Sequence, residues 1–145
     1  MIDPTVRLST ASDIPQLDLL EEDAREALIG QRGGDRWLVE HPRETWSSRR
    51  ETSDVWVAHI GDVVVGYLVA VLGDDHIVRV DQVWVTPDAR ELGFGDEMLA
   101  RAIDRARAAG AVAVEGQALP GDSHTKNLYE RAGIVARLIT TFRRL

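Results

Sequence analysis

Cysteine is absent from this 145-residue chain. That excludes disulfides, thiolate-held zinc, iron–sulfur clusters and every cysteine nucleophile. Lysine is almost absent as well. Of 17 Lys+Arg only Lys126 is lysine, a skew so uniform that it reads as arginine-favouring codon usage. Positive charge is short overall: the formal net charge is −7, whereas a general nucleic-acid binder needs a net basic surface. Long hydrophobic runs are missing too. The longest, Val63 to Leu72, is about ten residues, half of what a membrane-spanning helix needs. Its valines and Gly66 read as a buried strand. The opening Met1-Ile2-Asp3-Pro4 lacks the basic and apolar regions of a signal peptide. No internal repeat or low-complexity stretch is found. These absences predict a cytoplasmic protein with neither nucleic-acid nor membrane partners. What is there suits a packed core: 44% hydrophobic and 28% charged residues, in a length that predicts one domain over 1–145.

The pattern along the chain predicts the element order. Thr5 to Ser9 reads as a short strand. Ser12 and Asp13 are helix caps ahead of an apolar stripe of Ile14, Leu17, Leu20, Ala24 and Leu28. Gly30 is a natural stop. Asp35 to Arg50 is ambiguous, with Pro42 as the expected opening of a short second helix. Asp54 to Ile60 and Val63 to Leu72 flank Gly61-Asp62, a two-residue hairpin signature. Gly73-Asp74-Asp75 turns the chain into a further strand, His76 to Val85. A loop over Thr86 to Leu92 precedes a helix over Gly93 to Ala109, in which Glu97 and Arg101 are set four apart in the favourable orientation. Ala111 to Gln117 reads as a strand, Asp122 to Ala132 as a helix capped by Asp122, and Ile134 to Leu145 as one or two final strands. Strand, long helix and strand make a βαβ unit with its two strands parallel. The fold class is α+β: a central mixed, mostly antiparallel sheet flanked by helices.

The stretch that carries chemistry is Val83-Trp84-Val85-Thr86-Pro87-Asp88-Ala89-Arg90-Glu91-Leu92-Gly93-Phe94-Gly95. A strand delivers the chain to a glycine-bearing loop that opens a helix. The first-turn N–H groups of such a helix are unsatisfied and suit a phosphate, and Arg90 adds a forked charged donor. Glycines alone permit a tight turn and nothing more. The pattern V-x-P-x-x-R-x-x-G-x-G, however, resembles the acetyl-CoA signature of the GNAT acyltransferase superfamily, carried by Val85, Pro87, Arg90, Gly93 and Gly95. Leu128-Tyr129-Glu130-Arg131-Ala132-Gly133-Ile134 resembles a second motif of that family, and the element order is similar throughout.

The resemblance implies an acyl-CoA-dependent N-acyltransferase, with acetyl-CoA as cosubstrate, no metal, and a small-molecule or peptide amine as acceptor. It implies that the fourth and fifth strands splay apart, and that Val83 and Val85 pair with the pantetheine arm. Arg90, Glu91, Leu92, Gly93, Phe94 and Gly95 are the implied pyrophosphate contacts, with Asn127 as a further cofactor contact; Lys126 is a candidate contact to a CoA phosphate, with solvent as the plain alternative. Tyr129 is the implied general acid, since a phenol with a reference pKa near ~10 holds a proton at neutral pH. Asp81 is a candidate general base, on one face with Val83 and Val85 if no bulge intervenes, and Glu115 is a second candidate. A solvated acid is the plain alternative for both. The acids of the first helix, Glu21, Glu22, Asp23 and Glu26, read first as a solvated face.

Departures accompany the resemblance. Asp122 and Lys126 stand where the family often has asparagine and alanine, and Ile134 where it has phenylalanine. Only Val135 to Leu145 follows, short for the family's last hairpin, so an acceptor site completed by a second copy in a homodimer is one expectation. A non-catalytic acyl-CoA-binding module of the same fold is the alternative function. Other motifs fail. Gly121-Asp122-Ser123-His124-Thr125 lacks the later acid and histidine of a hydrolase. Gly93-Phe94-Gly95 has Met98 in place of a dinucleotide fingerprint's third glycine. The histidines 41, 59, 76 and 124 have no metal-site spacing.

Overall fold

A computed structural model describes residues 4–145 of the chain; the Met1–Asp3 start lies outside the described residues. Strand β1 (Thr5–Leu8) leads through a 3₁₀ turn (Ala11–Asp13) into helix α1 (Ile14–Leu28). Two short helices follow, α2 (Gly34–Glu40) and α3 (Trp46–Thr52). Strands β2 (Asp54–Ile60), β3 (Val63–Leu72) and β4 (Ile77–Val85) form a meander. Helix α4 (Phe94–Ala108), strand β5 (Ala113–Gly116) and helix α5 (Ser123–Arg131) complete the order.

The five strands lie in the sheet in sequence order. Short turns make β2 to β4 antiparallel, β1 adds antiparallel to β2 after the chain has passed through α1 to α3, and β5 runs parallel to β4 because α4 carries the chain back across the sheet. Each sheet face buries its own apolar set. On one face α4 and α5 bring Phe94, Met98, Leu99 and Leu128 onto Trp56, Leu68 and Val80. On the other, α1 and α3 bring Leu17, Leu20 and Trp46 onto Val57, Tyr67 and Val69. The alternation of valines and aromatics along β2 and β3 is what serves both faces. Each fully buried side chain of this size contributes about 1.5–3 kcal/mol.

Several expectations need correcting. Ile134 to Leu145 forms no strand. Val135, Leu138, Ile139 and Phe142 stay exposed, with the Phe142 ring beneath the Arg36 guanidinium at 4.3 Å. A strand here would meet only the four-residue edge of β5 and no apolar layer, so pairing alone would not hold it. Pro42 opens no helix. α3 begins after Thr45, whose Oγ1 accepts the Ser48 N–H at 3.1 Å. α2 fills part of the stretch that was ambiguous. β4 begins at Ile77, because His76 takes a left-handed φ of 62° to end the turn. The Thr86–Leu92 loop contains a 3₁₀ turn over Pro87–Ala89. No helix among the described residues is long and apolar enough to cross a membrane.

Candidate functional site

The loop after β4 leaves an unusual number of amides free. The N–H groups from Glu91 to Asp96 donate to no acceptor among the described residues, and the first bond of α4 runs from the Glu97 N–H to the Gly93 carbonyl at 3.0 Å. Gly93 caps the helix with φ 89°, a left-handed conformation that a side chain disfavours, and Glu91 also takes a positive φ of 65°. Asp96 and Glu97 in the first turn are neutralised by Arg131 at 2.9 Å and Arg101 at 3.0 Å. The helix dipole and its free amides therefore dominate, and the end of α4 can receive an anion. Arg90 reaches back to β4. Its Nε donates to the Val85 carbonyl at 2.9 Å and its guanidinium lies 4.7 Å over the Trp84 ring.

Strands β4 and β5 part early. Their pairing runs from Ile77–Ala113 to Val80–Gly116, so the segment from Asp81 to Val85 has no partner on that side. Tyr129 sits where they part. A Cβ on Gly116 would stand 2.5 Å from Tyr129 Cζ and 2.7 Å from its hydroxyl oxygen, so the ring lies directly on the glycine. Asp122 fixes the helix that delivers it, its carboxylate accepting the Thr125 N–H at 3.1 Å and the Thr125 hydroxyl at 2.7 Å. Burial pushes the Tyr129 phenol's pKa well above its ordinary value, and the charges of Asp122 and Asp81 add to the rise. The phenol keeps its proton.

Asp81 does not share a face with Val83 and Val85. The β3–β4 register steps from Val69–Gln82 to Ala70–Val80, so Asp81 is the extra residue of a β-bulge. The bulge resets the alternation. Val78, Val80, Val83 and Val85 all reach the α4 face, whereas Asp81 lines a cleft of about 250 Å³ on the other side with Trp37, Glu40, His41, Glu44, Arg49 and Gln82. Trp37 and His41 stack at 4.3 Å as a flat wall of that cleft. Asp81 remains exposed, yet the crowded walls push its pKa up from the ordinary value. Glu44 adds to this, while His41, Arg49 and Arg79 oppose it.

A model described as the Acetyltransferase (GNAT) family matches residues 17–134. The chain belongs to the GNAT family. Among solved structures, the GNAT chain is similar to a tetramutant of the BH1408 protein from Bacillus halodurans (TM-score 0.76, 19% identity, 97% of this chain and 99% of that one). It is similar to a ribosomal-protein-alanine N-acetyltransferase from Brucella melitensis biovar Abortus 2308 (TM-score 0.72, 18% identity, 99% and 100% covered). The aminoglycoside N-acetyltransferase AAC(6')-Iy in complex with CoA is similar at TM-score 0.69 and 13% identity, with 97% and 100% covered. At these identities the likeness is one of fold: the mixed sheet with its parallel β4–β5 pair and flanking helices is the GNAT fold. No curated protein matches the sequence.

The remaining expected residues of this GNAT chain lie as follows. Val83 and Val85 are on the unpaired reach of β4. Lys126 and Asn127 are on the exposed side of α5, with Lys126 Nζ 3.3 Å from Glu130. Glu115 is taken by Arg79 at 2.7 Å across the β4–β5 pair and stays out of the site. Glu21 is fully buried rather than part of a solvated face, while Glu22, Asp23 and Glu26 are exposed as expected. The cleft residues of α2 and α3 went unread in the sequence, for want of any motif. The bulge did leave a signal: valines at 78 and 80 and again at 83 and 85 are out of phase. Among the described residues no cluster of His, Asp and Glu suits a metal ion.

Proposed function

We propose that this GNAT protein is an acyl-CoA-dependent N-acyltransferase that passes an acetyl group from acetyl-CoA to a primary amine by direct attack. The observation that carries the reading is the position of Tyr129 on α5, a buried neutral phenol at the parting of β4 and β5, beside the strand whose far end opens into the free amides of α4. Those amides, from Glu91 to Gly95, and Arg90 suit the pyrophosphate of CoA. The main chain at Val83 and the Val85 N–H, left without a strand partner on the β5 side, suit the extended pantetheine arm, which can add to the strand edge; the Val85 carbonyl is already held by Arg90.

The amine enters through the cleft of Trp37, Glu40, His41, Glu44 and Asp81. Asp81 takes a proton from the entering ammonium, directly or through water, the freed lone pair forms the new C–N bond, and the nitrogen's second proton then passes to water. A β4 N–H receives the oxyanion. The C–S bond then breaks and Tyr129 gives its proton to the leaving sulfur. Structural relatives support an amine acceptor, one being an aminoglycoside acetyltransferase and another a ribosomal-protein-alanine N-acetyltransferase.

The test is Tyr129→Phe, assayed by release of the CoA thiol across a panel of amines, with acetyl-CoA binding followed by calorimetry. Turnover is expected to fall by roughly 10²–10⁴, the usual worth of a positioned acid, with the acetyl-CoA Kd nearly unchanged. Equal turnover would remove Tyr129 from the chemistry. Absence of acetyl-CoA binding to the wild type at millimolar concentration would overturn the whole reading. Binding with no transfer to any amine would instead favour a non-catalytic acyl-CoA module.

A further inference from the structure

One buried ion pair has no part in the chemistry above. Glu21 of α1 is fully buried and Arg49 of α3 is 4% exposed. Arg49 Nη1 donates to Glu21 Oε1 at 2.9 Å and Nη2 to Oε2 at 2.8 Å, a forked pair. Arg25 Nε donates to Oε2 at 3.2 Å, and Arg43 Nε stands 3.8 Å from Oε1. The Arg49 guanidinium lies 4.4 Å over Trp46, which meets Tyr67 edge-on at 5.0 Å. The Tyr67 hydroxyl donates to Gln82 Oε1 at 3.0 Å, next to the Asp81 bulge. Well-packed apolar residues would stabilise such a position as well as a buried pair does. Stability therefore gives no reason for charges here.

The cleft supplies one. Arg49 forms part of its wall beside Asp81, Glu40 and Glu44, where a free guanidinium would occupy the carboxylates that a protonated amine needs. Its Nε already stands 3.7 Å from Glu44, and what holds both Nη groups away is the fork with Glu21. We propose that Glu21 is a positioning residue that sequesters the Arg49 guanidinium, keeping Asp81 and Glu44 free for a cationic amine acceptor. This rests on reading the cleft as the amine's and Asp81 as its proton acceptor.

The groups facing Asp81 are Glu40 and His41 at the end of α2, Glu44 in the following loop, Arg49 of α3, Arg79 of β4 and Tyr129 of α5. Arg79 is held by Asp75 and Glu115, each at 2.7 Å, and Tyr129 is neutral. Arg49 is thus the cation whose reach Glu21 governs. Burial works to raise the pKa of Glu21, but the hydrogen bonds and charges of Arg49 and then Arg25 overcome it and hold Glu21 ionised.

The experiment titrates the Asp81 carboxyl by NMR in the substrate-free protein, comparing wild type, E21Q and E21Q/R49M. A released Arg49 favours the carboxylate, so E21Q is expected to lower the Asp81 midpoint by about one pH unit. Removing Arg49 as well is expected to restore it. With an amine that the wild type accepts, E21Q is expected to raise the acceptor KM about tenfold, with kcat on the alkaline plateau little changed and the double variant recovering. Where E21Q does not fold, E21D keeps the charge but withdraws it by one methylene, and should shift Asp81 in the same direction by less. An unmoved midpoint in folded E21Q or E21D overturns the inference. So does a double variant as displaced as the single, which marks plain structural damage. Failure of the wild type to acetylate any amine would sink the proposed activity alone, and the titration would still decide this point.

Discussion

The hydroxyl of Tyr129 is placed by an atom that its neighbour lacks. Gly116 ends β5 beneath the ring, and a methyl there would sit 2.5 Å from Cζ, nearer than packed carbons approach. The ring is only 6% exposed and shares its core with Leu128 and Met98, so it has no free side to move into. Gly116→Ala is therefore expected to cost roughly 1–3 kcal/mol, the usual penalty of overpacking, seen as a lower thermal midpoint. It should also reduce acetyl transfer with little change in acetyl-CoA affinity. An alanine variant that melts and turns over like wild type would show that the ring does not rest there. Tyr129 was legible in the sequence because its motif is contiguous along one helix. Gly116 was not, since nothing local links a strand-end glycine to a side chain one helix later. Asp81 falls between the two. The residue was named, but the face it occupies depended on a bulge that only the phase slip of the valines betrays.

Among the elements, those with a strict period and a turn at each end were readable, and those held by tertiary contact were not. β2, β3 and α4 follow their expected spans closely. α2 has no side-chain cap, starts from a left-handed Gly33 and leaves Val39 82% exposed. It therefore shows neither a start signal nor an apolar stripe. The final segment erred the other way, with strand-like composition but no layer to bury it. α4 carries the prediction at this scale. Its free amides depend on Gly93 holding φ 89°, which costs an L-residue about 1–2 kcal/mol. Gly93→Ala is expected to relieve that strain by shifting the turn, weakening CoA binding by about tenfold for each 1.4 kcal/mol of misplacement. Calorimetry with CoA reads this directly, and an unchanged Kd would detach the helix end from CoA recognition.

For the molecule as a whole, the decisive geometry is that the two groups of the proposed reaction, Tyr129 and Asp81, lie on opposite faces of one sheet. Tyr129 belongs to the face covered by α4 and α5, whereas the Asp81 cleft opens on the side of α2 and α3, over Val69. They communicate where β4 and β5 part, close enough for the charge of Asp81 to act on the Tyr129 phenol. A thioester threaded along β4 and an amine held in the cleft can thus be present together without competing for space. Holding both in reach replaces a bimolecular encounter by an intramolecular one. The chain offers no cysteine to take the acetyl group meanwhile. The proposed reaction therefore runs through a ternary complex. Initial rates measured against both substrates are expected to give intersecting double-reciprocal lines, and labelled acetyl-CoA alone should leave no acetyl group on the protein. Parallel lines together with retained label would mean that a covalent intermediate forms after all, and that the opening between the strands carries the substrates in turn rather than at once.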